Sequence, residues 1–182
     1  MSSELRCNSI KLANGNDATA SDLGIGGVGK IGQIIQVTKT DSSTLAVSTG
    51  SLTTLLTANI TPTATSSKIL VSYVLHVGQQ TNQAFPYSTI RRNGSDIFRA
   101  DAIGSRQRST SSYGGFSDNA AIQFSGVHTQ QFLDSPNSTS QQTYTVNCGG
   151  YEGRTFYINV PNDNSAAHAS STSTLTLMEV LA

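Results

Sequence analysis

The sequence lacks tryptophan and has only two cysteines, two methionines and four prolines in 182 residues. Charge is scarce too: 12 % of the residues are Asp, Glu, Lys or Arg, with eleven of each sign. That is about half the charged share of an ordinary soluble chain. The balance of signs leaves no basic field to attract nucleic acid or an anionic membrane. No apolar run reaches the roughly 18 residues that a membrane-spanning helix needs, so membrane insertion is not expected. Met1 to Ile10 has no apolar h-region, so no secretory leader is expected. Without CxxC or HxxxH spacing, no metal site or cofactor is expected. Cys7 and Cys148 stand near opposite ends of the chain; two unpaired thiols is the simpler reading, and a disulfide is the alternative. No Gly-x-Ser-x-Gly elbow is present to anchor serine-hydrolase chemistry.

What the chain has in excess is hydroxyl: Ser and Thr make up about a quarter of it, well above ordinary usage. With 16 glycines, this is a composition of strands and turns. The first thirty residues stand apart. A short extended stretch, Ser3 to Lys11, is followed by the turn-forming Ala13-Asn14-Gly15-Asn16-Asp17 and the glycine-rich Leu23 to Gly32. Residues 1–30 are therefore expected to form an extended arm with a glycine-rich hinge, docked on a partner, because such a segment buries little surface alone.

From Ile31 onward the period is two, and residues 31–182 are expected to form one β-sandwich. Ile31, Gln33, Ile35 and Val37 fall on one face of the first strand. Leu52, Thr54, Leu56, Ala58 and Ile60 share a face over Ser51 to Thr61. Ile69, Val71, Tyr73, Leu75 and Val77 do so over Lys68 to Val77. Asn93-Gly94 inside Thr89 to Asp101 predicts a hairpin. Ala100 to Asn119 reads as a long excursion between strands. Ala121 to Leu133, Gln142 to Asn147, Arg154 to Val160 and Ser173 to Val180 complete about eight strands, the pattern of an all-β sandwich or jelly roll.

Several motifs suggest chemistry. Gly24 to Gly29 spells GxGxxG, and Gly24 to Lys30 spells GxxxxGK. A phosphate loop needs a strand before it and a helix after it, whereas polar residues precede this one and the alternating Ile31 to Val37 comes next; a hinge is the better account. His76 and His128 lie in strands and are expected to be satisfied or exposed, and His168 has no acidic neighbour. Asp96, Asp101, Asp134 and Glu152 are the only acids from which a paired-carboxylate glycosidase could be built; surface turn carboxylates is the simpler reading. Tyr113, Phe116 and Tyr151 sit in glycine-bearing loops, where they would either stack on glycan rings or be buried between subunits. Arg91, Arg92, Arg99, Arg106 and Arg108 are expected to meet Asp or backbone carbonyls of a neighbouring subunit.

The order of several segments resembles modules of virion proteins of tailed bacteriophages, notably cyanophages. The segments are Gly32 to Thr40, Ile60-Thr61-Pro62 leading into Thr65 to Val71, Arg91-Arg92-Asn93-Gly94, Phe132 to Pro136, and the closing Ser173 to Val180. The resemblance covers about Gly32 to Ala182 and depends on the order of weak motifs. It implies a jelly-roll-like domain in a tail fibre or related appendage, often trimeric, with no catalytic residues to carry over. The function expected is therefore a non-enzymatic virion structural protein: a homotrimeric fibre on the particle surface, joined to tail or baseplate proteins by its arm and adhering to a host surface glycan. A capsid decoration or baseplate protein is the alternative. A glycan depolymerase and a free carbohydrate-binding module are more distant ones.

Overall fold

The structure, a computed structural model, describes residues 11, 14–18, 29–48, 50–79, 85–113, 124–150, 154–161 and 169–181. Alternating apolar residues become strands wherever one face can be buried. Those strands are β1 (Ile31–Lys39), β2 (Ser43–Ala46), β3 (Thr53–Ile60), β4 (Lys68–Gln79), β5 (Tyr87–Arg92), β6 (Ser95–Ile97), β7 (Ser111–Ser112), β8 (Phe124–Asp134), β9 (Gln142–Gly149), β10 (Thr155–Ile158) and β11 (Ser173–Val180). No helix occurs among the described residues, and so none is long and apolar enough to cross a membrane.

Two antiparallel sheets result. In the first, β11 lies between β1 and β4, β10 joins the far end of β4 to β2, and β8 runs along the other side of β4. The second runs β3-β9-β5, with β6 and β7 sharing the outer side of β5. The pairing works from the ends inward: β1 with β11, β3 with β9, β4 with β8, β5 with β6. A long antiparallel ribbon rolled up in this way is a jelly roll. The chain is thus an all-β jelly-roll sandwich, as its periodicity and turn spacing predict.

The core lies between the sheets. Ile69, Val71, Tyr73, Leu75 and Val77 of β4, the face expected from the alternation, are all buried. They meet Leu175 and Leu177 from β11, Phe156 and Ile158 from β10, and Leu56, Ala58, Ile60, Tyr144, Val146 and Ile90 from the second sheet. The predicted hairpin is present: Asn93 (φ 49°) and Gly94 (φ 81°) both take the left-handed conformation of a type I′ turn between β5 and β6.

Three expectations are corrected. Ile31 does not share the inward face of Ile35 and Val37. The register shifts between Ile31 and Ile34, so Ile31 pairs with Val180 and is exposed. The excursion after the hairpin contains β7, and β2 adds a second unforeseen strand; both are too short for alternation to reveal. Thr54 leaves the inward face of Leu56, Ala58 and Ile60, because the register shifts between Thr54 and Leu56 and Thr54 pairs with Asn147. Of the expected arm, the described parts are a turn closed by the Lys11–Asp17 pair and the residues at 29–30. There Gly29 N donates to Leu181 O (2.6 Å) and Leu181 N to Lys30 O (2.7 Å), extending the β1–β11 ladder. Most of the glycine-rich motif lies outside the described residues. Lys30 leads directly into strand β1, not into the helix a phosphate loop needs.

Candidate functional site

The polar side chains concentrate along one flank, where β8 faces β5 and residues 98–113 cross between the two sheets. β8 turns Gly126, His128, Phe132 and Asp134 to the same side as the core residues of β4, since each lies opposite one of them. Its apolar Val127 and Leu133 point the other way and are exposed. The inward side of this strand is therefore unusually polar for a sandwich interior.

Its centre is His128. The ring is fully buried, and burial pulls its pKa down to about 4, against a smaller opposing effect of the Ser111 carbonyl. Nδ1 lies 3.3 Å from both Ser111 O and Ser88 Oγ, and Ser88 Oγ is 2.8 Å from the Tyr73 hydroxyl. Nε2 has no hydrogen-bond partner. Tyr113 packs at 4.8 Å from the imidazole, tilted by 47°, and its hydroxyl donates to Val77 O (2.7 Å). Gly126 makes room for it: a Cβ there would lie 2.5 Å from the Tyr113 ring. Ser88 and His128 pair a hydroxyl with an imidazole, the beginning of a nucleophilic arrangement. Both are fully buried, however, and the third group is a carbonyl rather than a carboxylate.

Two of the four candidate acids, Asp96 and Asp134, are engaged in ion pairs. Asp96 accepts from Arg91 Nε and Arg99 Nη1, each at 2.7 Å. Asp134 accepts from Arg92 Nη1 and from the Tyr144 hydroxyl (2.6 Å). Asp134 is thus not a surface turn carboxylate: its side chain is largely covered and links β8, β5 and β9. Asp101 is exposed, and Glu152 lies outside the described residues. Four of the five candidate arginines have partners within the chain itself. Arg91, Arg92 and Arg99 find their aspartates, and Arg108 its carbonyl (Ala100 O, 2.6 Å), within the same chain. The Arg92–Asp134 pairing has no signal in the sequence, because its partners are brought in from separate strands, whereas Arg91 and Asp96 face each other across the predicted hairpin.

Two shallow cavities flank residues 98–113. One, of about 240 Å³, is lined by Phe85, Tyr87, Gln107, Ser109, Ser112 and Tyr113. The other, of about 330 Å³, lies beside Phe98, which stacks on Phe132 at 4.2 Å with the rings 4° from parallel. Tyr113 therefore contributes to a cavity wall while its hydroxyl is already occupied. Phe116, Tyr151 and His168 lie outside the described residues; His76 is half-buried on the outer side of β4. Among the described residues no three His, Cys, Asp or Glu side chains gather as metal ligands. Cys148 is a free, buried thiol whose pKa burial raises to about 12, which suppresses thiolate chemistry. Cys7 lies outside the described residues.

A buried carboxylate that sequence reasoning missed lies across the first sheet. Glu179 of β11 accepts from Gln33 Nε2 (2.8 Å), Thr63 N (2.6 Å) and Thr63 Oγ1 (2.8 Å). Burial alone would raise its pKa, but these donors outweigh it and bring the value to about 2. Its role is to tie β1 and the β3–β4 connection to β11. Alternation does place Glu179 on the inward face of its strand, but the donors come from distant segments.

No family model matches the sequence, and no curated protein matches it. Among solved structures, a chain of infectious bursal disease virus Gt strain is similar with a TM-score of 0.48 and 13 % identity, over 97 % of this chain and 43 % of that one. A chain of the Gx strain gives 0.45 and 12 %, over 97 % and 42 %. One from T=1 particles derived from infectious bursal virus gives 0.44 and 13 %, over 97 % and 41 %. The chain thus spans less than half the length of these neighbours.

Proposed function

We propose that the protein is a structural, non-enzymatic component of a phage virion: a homotrimeric tail fibre or appendage, attached through residues 1–30 and adhering to a host surface glycan through its loops. The observation that carries this reading is the coincidence of the phage-like segments with the framework of the jelly roll. They fall on β1, the β3–β4 corner, the β5–β6 hairpin, the end of β8 and β11. A second support is that Asp96 and Asp134 serve internal ion pairs and that His128 is buried. Adhesion through several copies needs no tight single site, because multivalency supplies the avidity.

Deleting Met1 to Gly29 is expected to leave a folded body that no longer enters particles; loss of folding overturns the tether. Imaging of labelled particles is expected to place the protein on the tail. Label over the whole capsid replaces the fibre by a decoration protein, and shortening of host polysaccharide by the purified chain replaces adhesion by depolymerisation.

A further inference from the structure

The outer face of the first sheet carries an arrangement that plays no part in the flank around His128 or in the ion pairs. Ile34 of β1 lies opposite Met178 of β11, Met178 opposite Leu70 of β4, and Leu70 opposite Leu133 of β8. These four side chains point away from the core and form one apolar row across four adjacent strands. At its two ends Ile34 is 58 % and Leu133 48 % exposed. The next row is Gln36, Thr176, Ser72 and Gln131, neutral throughout, with Gln36 Nε2 donating to Thr176 Oγ1 at 2.9 Å. The charged side chain on this side of β4 is Lys68, at the corner. The second sheet differs: its outer side presents Asn59 hydrogen-bonded to Thr143 (2.7 Å) and the Arg91–Asp96 pair. The apolar row is therefore particular to one face.

We propose that this face is where copies of the chain pack against one another, with the Ile34–Met178–Leu70–Leu133 row at the centre of the contact. The proposal rests on the self-assembling reading of the protein's function and adds to it one contact surface between copies. Two arguments favour a second copy as the occupant. First, distinct partners are usually selected by opposite charge, and this face has almost none to offer; a surface without sign meets its own copy without like-charge repulsion. Second, the area is sufficient. Nine residues of strand by four strands is about 30 Å by 19 Å, so two copies meeting face to face about a twofold axis, a contact additional to the one that closes a trimer, would bury roughly 1,100 Å², above the floor of about 1,000 Å² for a specific interface.

The test is the solution mass of the full chain, by light scattering and native mass spectrometry, for the wild type and for the double variant Ile34→Lys/Leu133→Lys. Both side chains are about half exposed, so the fold should survive, as far-UV circular dichroism and the melting profile will check. The wild type is expected at a multiple of 19.1 kDa. The double variant is expected to be monomeric or to associate at least tenfold more weakly, while Thr57→Lys on the second sheet leaves the mass unchanged. An oligomer that persists in the folded double variant overturns this face and leaves self-assembly standing. A wild type that stays monomeric at about 100 µM, well above ordinary interface affinities, overturns both. If the double variant misfolds, Gln131→Lys, exposed on the next row, takes its place under the same criteria.

Discussion

His128 shows how far one buried residue sets the behaviour of this sandwich. Its ring titrates near 6.5 when unfolded and near 4 when folded. Between those values the unfolded chain takes up a proton that the folded chain refuses. The contribution to stability is therefore complete above about pH 6.5, declines as the pH falls, and levels off below about pH 4. Urea titrations at pH 7 and pH 4.5 are expected to show about 2 kcal/mol less acid sensitivity in His128→Gln than in the wild type. Glu179 acts in a lower window. Its folded pKa is depressed, so its carboxylate stabilises fully above about pH 4.5, and that support is lost as the pH falls towards 2. Glu179→Gln removes the charge and turns an amide donor towards existing donors. It is expected to cost on the order of 2 kcal/mol at pH 7, read from the urea midpoint, with a correspondingly smaller further loss in acid. Alternation marks Glu179 as inward-facing but not His128, because the apolar Val127 and Leu133 of the same strand lie on the opposite side. It does not supply the groups that His128 and Glu179 meet, because Ser88, Ser111, Gln33 and Thr63 arrive from other strands and connections.

Among the elements, the junction of β4 and β10 is the tightest. A Cβ on Gly78 would lie 1.5 Å from Pro161 O, a backbone atom that no side-chain rotation can move aside. Gly78→Ala is expected to destabilise by about 3 kcal/mol and to loosen β10 from β4, seen as faster amide exchange at Tyr157 and Ile158. Gly78 continues the apolar run of β4 as a residue without any side chain, and its sequence neighbours do not reveal why. The reason is the chain after β10, where Asn159 (φ 64°) donates to Lys39 O (2.9 Å) and Asp41 O (3.0 Å) and accepts from Ser173 Oγ (2.6 Å). The β5–β6 hairpin is the opposite case. Asn93 and Gly94 supply the two positive φ angles themselves, so the turn was legible without its surroundings.

For the whole molecule the decisive feature is that β1, the first strand of the roll, is held by β11, the last, which lies between β1 and β4. Without β11 the sheet is open between β1 and β4. Removing Ser173 to Ala182 is therefore expected to abolish cooperative unfolding altogether rather than lower its midpoint, as followed by circular dichroism and amide dispersion. It would strip the covering strand from between β1 and β4 and take Leu175, Leu177 and Glu179 with it. The same topology brings the four strands of the apolar row together from chain positions as distant as Ile34 and Met178.

The sequence by itself determined the fold class, the main strands, the inward face of β4 and the hairpin turn. Each depends on a period of two or on the backbone preferences of neighbouring residues, which are local properties. Only the tertiary structure decided that Asp96 and Asp134 are bound to arginines of the same chain, that Ile31 points outward, and that one sheet carries a neutral, apolar outer row. Periodicity says which side chains share a face. Which strand lies beside which is set by burying all those faces at once, and that choice involves residues more than a hundred positions apart.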